Sequence, residues 1–111
     1  MGLFAVQYEY STADVEGRQL VRPDHAAYLR GLEARRILVF SGPYPDGTGA
    51  LLMLRSETED ECRSVLDSDP FARAGLVHGR RISPFLVGLG LPEETDRVAP
   101  ASGTPVTPPG T

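Results

Sequence analysis

The stretch ILVFSGPYPDGTGALLMLRS (residues 37–56) holds two apolar runs of strand length on either side of a turn-rich link. The first, residues 37–44, is continuously apolar until Gly42-Pro43 closes it. The second, residues 50–56, is its return, and Asp46-Gly47 marks the turn between them. Two such runs predict a hairpin with a long loop. Whatever lies before and after must then be fitted around that hairpin.

Upstream, LFAVQYE (3–9) is apolar and β-prone, and the polar STADVEG (11–17) bounds it. Pro23 suits the first turn of a helix, where a missing N–H costs nothing. From there Ala26, Tyr28, Leu29, Leu32 and either Ala34 or Arg36 mark one helical face. Downstream, SETEDECRSVLD (56–67) opens a second helix. Ser56 with Glu59, or Thr58 with Glu61, fits a capping box, and acidic residues crowd the positive end of that helix. SDPFARAGL (68–76) reads as one short turn of helix, with Asp69 as N-cap, Pro70 at the first position and Gly75 as the stop. Residues 77–89 form the last strand, where Pro84 implies an edge or a bulge. The order β-α-β-β-α-β predicts an α+β, ferredoxin-like domain over residues 1–90. Residues 91–111 hold five of the ten prolines and no periodicity, and read as a flexible tail.

Composition narrows the function. A chain of 111 residues, 41% hydrophobic and 23% charged, is one soluble globular domain's worth. The net charge of −4, with eleven arginines and no lysine, argues against a nucleic-acid partner, because phosphate binding needs a basic surplus. One cysteine, Cys62, excludes an internal disulfide, and with two histidines it gives no zinc-ligand spacing, so no metal is expected. The N-terminus lacks the pattern of a signal peptide, and no apolar run approaches a membrane span, which makes the cytoplasm the expected location. A sheet whose helices lie on one side, with strands apolar at successive positions, leaves a second apolar face. The commonest cover is a second copy, giving a homodimer with sheets face to face.

Few residues carry chemistry. On a helix beginning at Pro23, His25 lies in the first turn, where the positive dipole end favours the uncharged ring, a potential general base. Its ordinary reading is a solvated or capping residue. Asp69 is explained by capping alone. Ser41 is a strand-end polar group, Arg22 a cation able to hold an anion, and Tyr8 and Tyr44 sit near strand ends where a pocket wall would run. Tyr28 reads as helix packing and His78 as surface. No nucleotide loop, Ser-His-Asp spacing or CxxC pair occurs.

Taken together, RPDHAAYLRGLEARRILVFSGPYPD (22–46), LDSDPFARAGLV (66–77) and ISPFLVGL (82–89) resemble the YciI-like (YCII-related) family, over roughly residues 3–89. The pattern is R-P-x-H, then S-G-P after a strand, then D-P-F-x-x-A-G-L, then a strand ending near P-F. The resemblance implies the dimeric α+β barrel fold and a small-molecule substrate. It also implies an acid/base dyad, whose positions here are His25 and Asp69, with Arg22 and Ser41 as substrate-orienting donors. Because the family includes a dehydrochlorinase-like enzyme of aromatic degradation, it points to a lyase or isomerase without metal or organic cofactor. The alternatives are a non-catalytic small-molecule-binding dimer and a cofactor-free monooxygenase of the same fold group. The longer STADVEGRQL loop and the Pro-rich tail depart from the family pattern.

Overall fold

The structure, a computed structural model, describes residues 1–90 of the 111. The proposed tail, residues 91–111, lies outside the described residues. Four strands form one antiparallel sheet: β1 (Gly2–Glu9), β2 (Leu38–Pro43), β3 (Gly49–Ser56) and β4 (Gly79–Phe85), in the order β2-β3-β1-β4. Three helices complete the fold: α1 (Val15–Ala34), α2 (Glu59–Asp67) and the single turn α3 (Pro70–Arg73). The arrangement is the ferredoxin-like α+β one expected from the central hairpin. β2 and β3 are that hairpin, closed by a Tyr44–Gly49 backbone bond and an Asp46 side chain that accepts from both Thr48 N–H and Oγ.

Alternation along the strands sorts the residues. Phe4, Val6 and Tyr8 of β1 face the helices and are buried beside Leu38, Ala50, Leu52 and Leu54. Leu32, Cys62 and Leu66 meet them from the helices. Leu3, Ala5, Leu51 and Met53 alternate onto the other face, which none of the described helices covers, as the two-residue period requires. Phe40 and Phe85, 40% and 44% exposed, lie on that same face through their pairings with Met53 and Leu3.

Four local readings hold in detail. Thr58 caps α2, its hydroxyl accepting from Glu61 N–H, and Asp69 caps α3. Gly75 ends α3 with φ +72°, a left-handed conformation that glycine takes without steric cost. Pro84 sits in β4, an edge strand, where the absent N–H breaks no ladder. That strand stops at Phe85, four residues short of the expected end.

The first helix differs from its expected start. It begins at Val15, and Pro23 lies inside it. STADVEGRQL (11–20) is therefore not a loop: Ser11 caps a 3₁₀ turn, Thr12–Asp14, which runs straight into α1. At Gly17 α1 packs closely on the segment after α3; a Cβ at this position would stand 2.9 Å from Leu76 Cδ2 and would displace that side chain. An interior proline removes one helical hydrogen bond and costs about 3 kcal/mol. The packing of one stripe of α1 against the sheet and α3 offsets that. The stripe is Arg18, His25, Leu29 and Leu32, with the exposed Arg22 at its rim, and it runs on either side of the proline.

Candidate active site

The correction to α1 changes the environment of His25. The ring sits in the middle of a 20-residue helix, so the helix terminus has no hold on it. Its partner is Asp69. The Nδ1 atom is 2.7 Å from Asp69 Oδ1, across 44 residues of sequence. The ring also lies flat on Phe71, centroids 3.8 Å apart and planes 3° from parallel. Asp69 is 1% exposed and accepts twice more: from Phe71 N–H at Oδ1, 3.0 Å, and from the Tyr8 hydroxyl at Oδ2, 2.7 Å. Both of those groups donate, which leaves the carboxylate as acceptor throughout. Nδ1 is therefore the donor in this contact, and in the neutral ring the lone pair lies on Nε2.

The local chain explains this placement. Asp69 is held by its capping duty, with φ −62° and ψ 129° ahead of the Pro70 turn, and the same oxygen that caps α3 meets the histidine. Tyr8 comes up from the sheet beneath. Burial, and next the Asp69 charge, push its phenol far above the ordinary value, so it stays a neutral donor. Tyr28 ties the other end of α1 down, donating to Val65 O at 2.7 Å.

Beside His25 a cavity of ≈ 240 Å³ opens between α1, α3 and the β2–β3 end of the sheet. Arg18, Arg22, His25 and Leu29 line it from α1, Ser41 from β2, and Tyr10 and Phe71 from the opposite walls. Four of the six residues singled out from the sequence thus meet around one point: His25 and Asp69 in contact, Arg22 and Ser41 on the cavity wall. The other two stand elsewhere. Tyr8 is beneath the site and touches Asp69 rather than the cavity. Tyr44 lines a separate polar depression with Gln7, Glu9, Thr48 and Arg81, which Tyr8 also borders. Tyr28 packs α1, and His78 is on the surface.

Two cavity residues escape a motif search. Tyr10 continues the inward alternation of Phe4, Val6 and Tyr8 by one more step past the strand end. Burial, helped by Asp69 and opposed by Arg18 and Arg22, pushes its hydroxyl up to about 12. Arg18 is only 7% exposed; it lies 4.4 Å over the Tyr10 ring and donates from Nη1 to Ser11 O at 2.8 Å. The i, i+4, i+7 spacing from Arg18 through Arg22 to His25 is the signal that finds it. Cys62 is buried away from the cavity in α2, where burial raises its thiol to about 11 and suppresses the thiolate. Among the described residues no cluster of three or more His, Cys, Asp or Glu is placed to hold a metal ion. Nor is any described helix long and apolar enough to cross a membrane.

A four-stranded antiparallel sheet, helices on one side and a histidine–aspartate contact beside a small cavity together define an α+β domain of the YciI type. The profile of the YCII-related domain matches residues 3–86, and the chain belongs to that family. Curated protein sequences give no match. Among solved structures it is similar to the 5-chloro-2-hydroxyhydroquinone dehydrochlorinase TftG from Burkholderia phenoliruptrix AC1100, in complex with 2,5-dihydroxybenzoquinone. The two share 27% identity and superpose with a TM-score of 0.70, over 78% of this chain and 95% of that one.

Proposed function

We propose that this chain is a cofactor-independent lyase or isomerase that moves protons on a small aromatic or cyclic oxygenated substrate. The observation that carries the reading is the His25–Asp69 contact with the imidazole edge on a cavity wall. The dehydrochlorinase activity of a similar structure supports the reaction class. His25 Nε2 is the general base; Asp69 fixes the tautomer and stabilises the imidazolium formed on proton transfer. Tyr8 and the Phe71 N–H hold Asp69 in turn. Arg22 and Ser41 hold the substrate oxygen on which charge develops.

The chemistry needs two proton movements. In the first, Nε2 takes a proton from a ring hydroxyl and returns it to a ring carbon, which is an isomerisation. In the second, a leaving group on that carbon departs with its bonding electrons while another hydroxyl loses its proton. The net loss is HX, and no electron acceptor is consumed. The open sheet face supports a homodimer as the working form, with the cavity of each subunit on the far side of the seam.

The test is anaerobic incubation with a chlorinated trihydroxybenzene, following chloride release. Wild-type protein is expected to release chloride, and His25→Ala and Asp69→Asn to be impaired. Turnover unchanged in both variants would sink the assignment. Turnover that appears only with oxygen would move the chain to the monooxygenases of its fold group, and binding without turnover would favour a carrier role.

A further inference from the structure

The cavity has an electrostatic character that proton transfer at His25 does not by itself require. Its charged wall is made of Arg18 and Arg22, one helical turn apart, and no carboxylate lines it. Asp69, the acid nearest the histidine, is 1% exposed and has both oxygens engaged away from the cavity. Among the described residues neither Arg18 nor Arg22 makes an ion pair.

Arg22 is exposed at the mouth, as many arginines are, but Arg18 is buried. A buried charge without a countercharge is unfavourable, because desolvation is offset only by pairing or strong hydrogen bonds. Arg18 has one carbonyl, Ser11 O, and the face of the Tyr10 ring. A guanidinium carries five N–H donors, so most of them are not used by these two partners. No fully buried polar side-chain atom among the described residues lacks a partner, so the spare donors keep access to the space beside them. That space is the cavity. Tyr10 adds a hydroxyl to the same wall and, with its ring under the guanidinium, fixes the direction in which the fork points.

We propose that Arg18 is the specificity-determining residue of this site and makes it prefer ligands already ionised, a single ring bearing a carboxylate or an ionised enol, over neutral rings of the same size, which it still admits. The inference rests on the proposed function and names its substrate class. Arg18 binds the resident negative charge at the inner wall, in the two-pronged geometry that suits a planar oxyanion. His25, seven residues along α1 and about 10 Å further along its axis, is left to the reacting hydroxyl. The cavity, at ≈ 240 Å³, suits one ring and not a fused pair. The quinone bound to the similar structure has hydroxyls that are vinylogous carboxylic acids, ionised at neutral pH, and so belongs to this class.

The test is calorimetric binding of two matched ligand pairs at neutral pH. The pairs are 2,5-dihydroxybenzoquinone with its neutral dimethyl ether, and 2,5-dihydroxybenzoate with the corresponding neutral amide. The expected result is at least a tenfold preference for the anion in one pair or both, lost in Arg18→Met. Equal affinity within both pairs, failure of both anions to bind, or a preference that survives in folded Arg18→Met overturns the proposal. Should Arg18→Met fail to fold, Arg18→Lys replaces it. That variant keeps the charge but not the fork, so it is expected to weaken the anion at least threefold and leave the neutral ligand unchanged; unchanged anion affinity contradicts the role. His25→Asn separates this inference from the reaction. Its turnover fails if His25 is the base, whereas its preference for the anion must persist.

Discussion

The two faces of the sheet are built on the same strands and finished differently. On the helix side, alternate residues of β1 and β3 are sealed under α1, α2 and α3, and the polar groups among them, Tyr8 and Asp69, bond to each other. On the other side the half-buried Leu3, Ala5 and Leu51 make an apolar surface flanked by Phe40 and Phe85, with Met53 buried among them and no helix of the described chain above it. The difference separates two tasks. The candidate dyad is assembled wholly from the covered side of one chain, whereas the open side is the surface proposed for association. Chemistry and assembly should therefore respond to different substitutions.

The largest effect expected is on the covered side. His25→Ala should lower turnover about 10²–10⁴-fold, the range for removal of a general base, with the melting temperature little changed. Asp69→Ala strikes stability as well. It removes the cap of α3 and strands the Tyr8 hydroxyl in the core, so urea unfolding should show a loss of about 2–4 kcal/mol. An Asp69→Ala variant as stable as wild type would mean that the buried contacts carry little weight.

On the open side, Phe40→Glu with Phe85→Glu should convert a dimer to a monomer in sedimentation equilibrium, while the circular dichroism of the fold is retained. Dimers that survive both charges would move the interface elsewhere. The smallest effect sharpens the interior. Burial raises Cys62 from 9.0 to about 11 and Tyr10 from 10.0 to about 12, and raises Tyr8 further still. A raised folded value means that the neutral form is the one the fold prefers. Stability from these groups is therefore complete below about pH 9 and is lost as pH rises towards 12. Denaturant midpoints across that window should fall, and Tyr8→Phe, at a cost of about 1 kcal/mol near neutrality, should flatten the fall.

Much of this molecule is legible in its sequence, for local reasons. The hairpin of residues 37–56, the Thr58 and Asp69 caps, the Gly75 stop and the edge position of Pro84 each follow from chemistry within a few residues. The start of α1 does not. Pro23 is a strong local signal for a first turn, and what overrides it is tertiary: Arg18, His25, Leu29 and Leu32 packed along one face of α1, and Gly17 packed on Leu76. Because that face begins with an arginine and a histidine, it does not look like a packed one. The candidate site divides in the same way. His25, Asp69, Arg22 and Ser41 lie in short motifs that name them, but which oxygen meets which nitrogen is set by residues 44 positions apart. Tyr8 and Tyr44 both sit near strand ends and border one polar depression, but only Tyr8, on the covered face of β1, reaches Asp69 with its hydroxyl. Arg18 and Tyr10 belong to no motif; their inward spacing is the only clue to them.

The central claim is that Asp69 holds His25 with its proton on Nδ1 and its lone pair on Nε2. Long-range ¹⁵N–¹H correlation spectra of the imidazoles report this directly, and with only two histidines in the chain His78→Gln completes the assignment. The account predicts the Nδ1–H tautomer for His25 in the wild-type protein, giving way to a mixture in Asp69→Asn. An Nε2–H tautomer in the wild type, or spectra indifferent to Asp69→Asn, would contradict it.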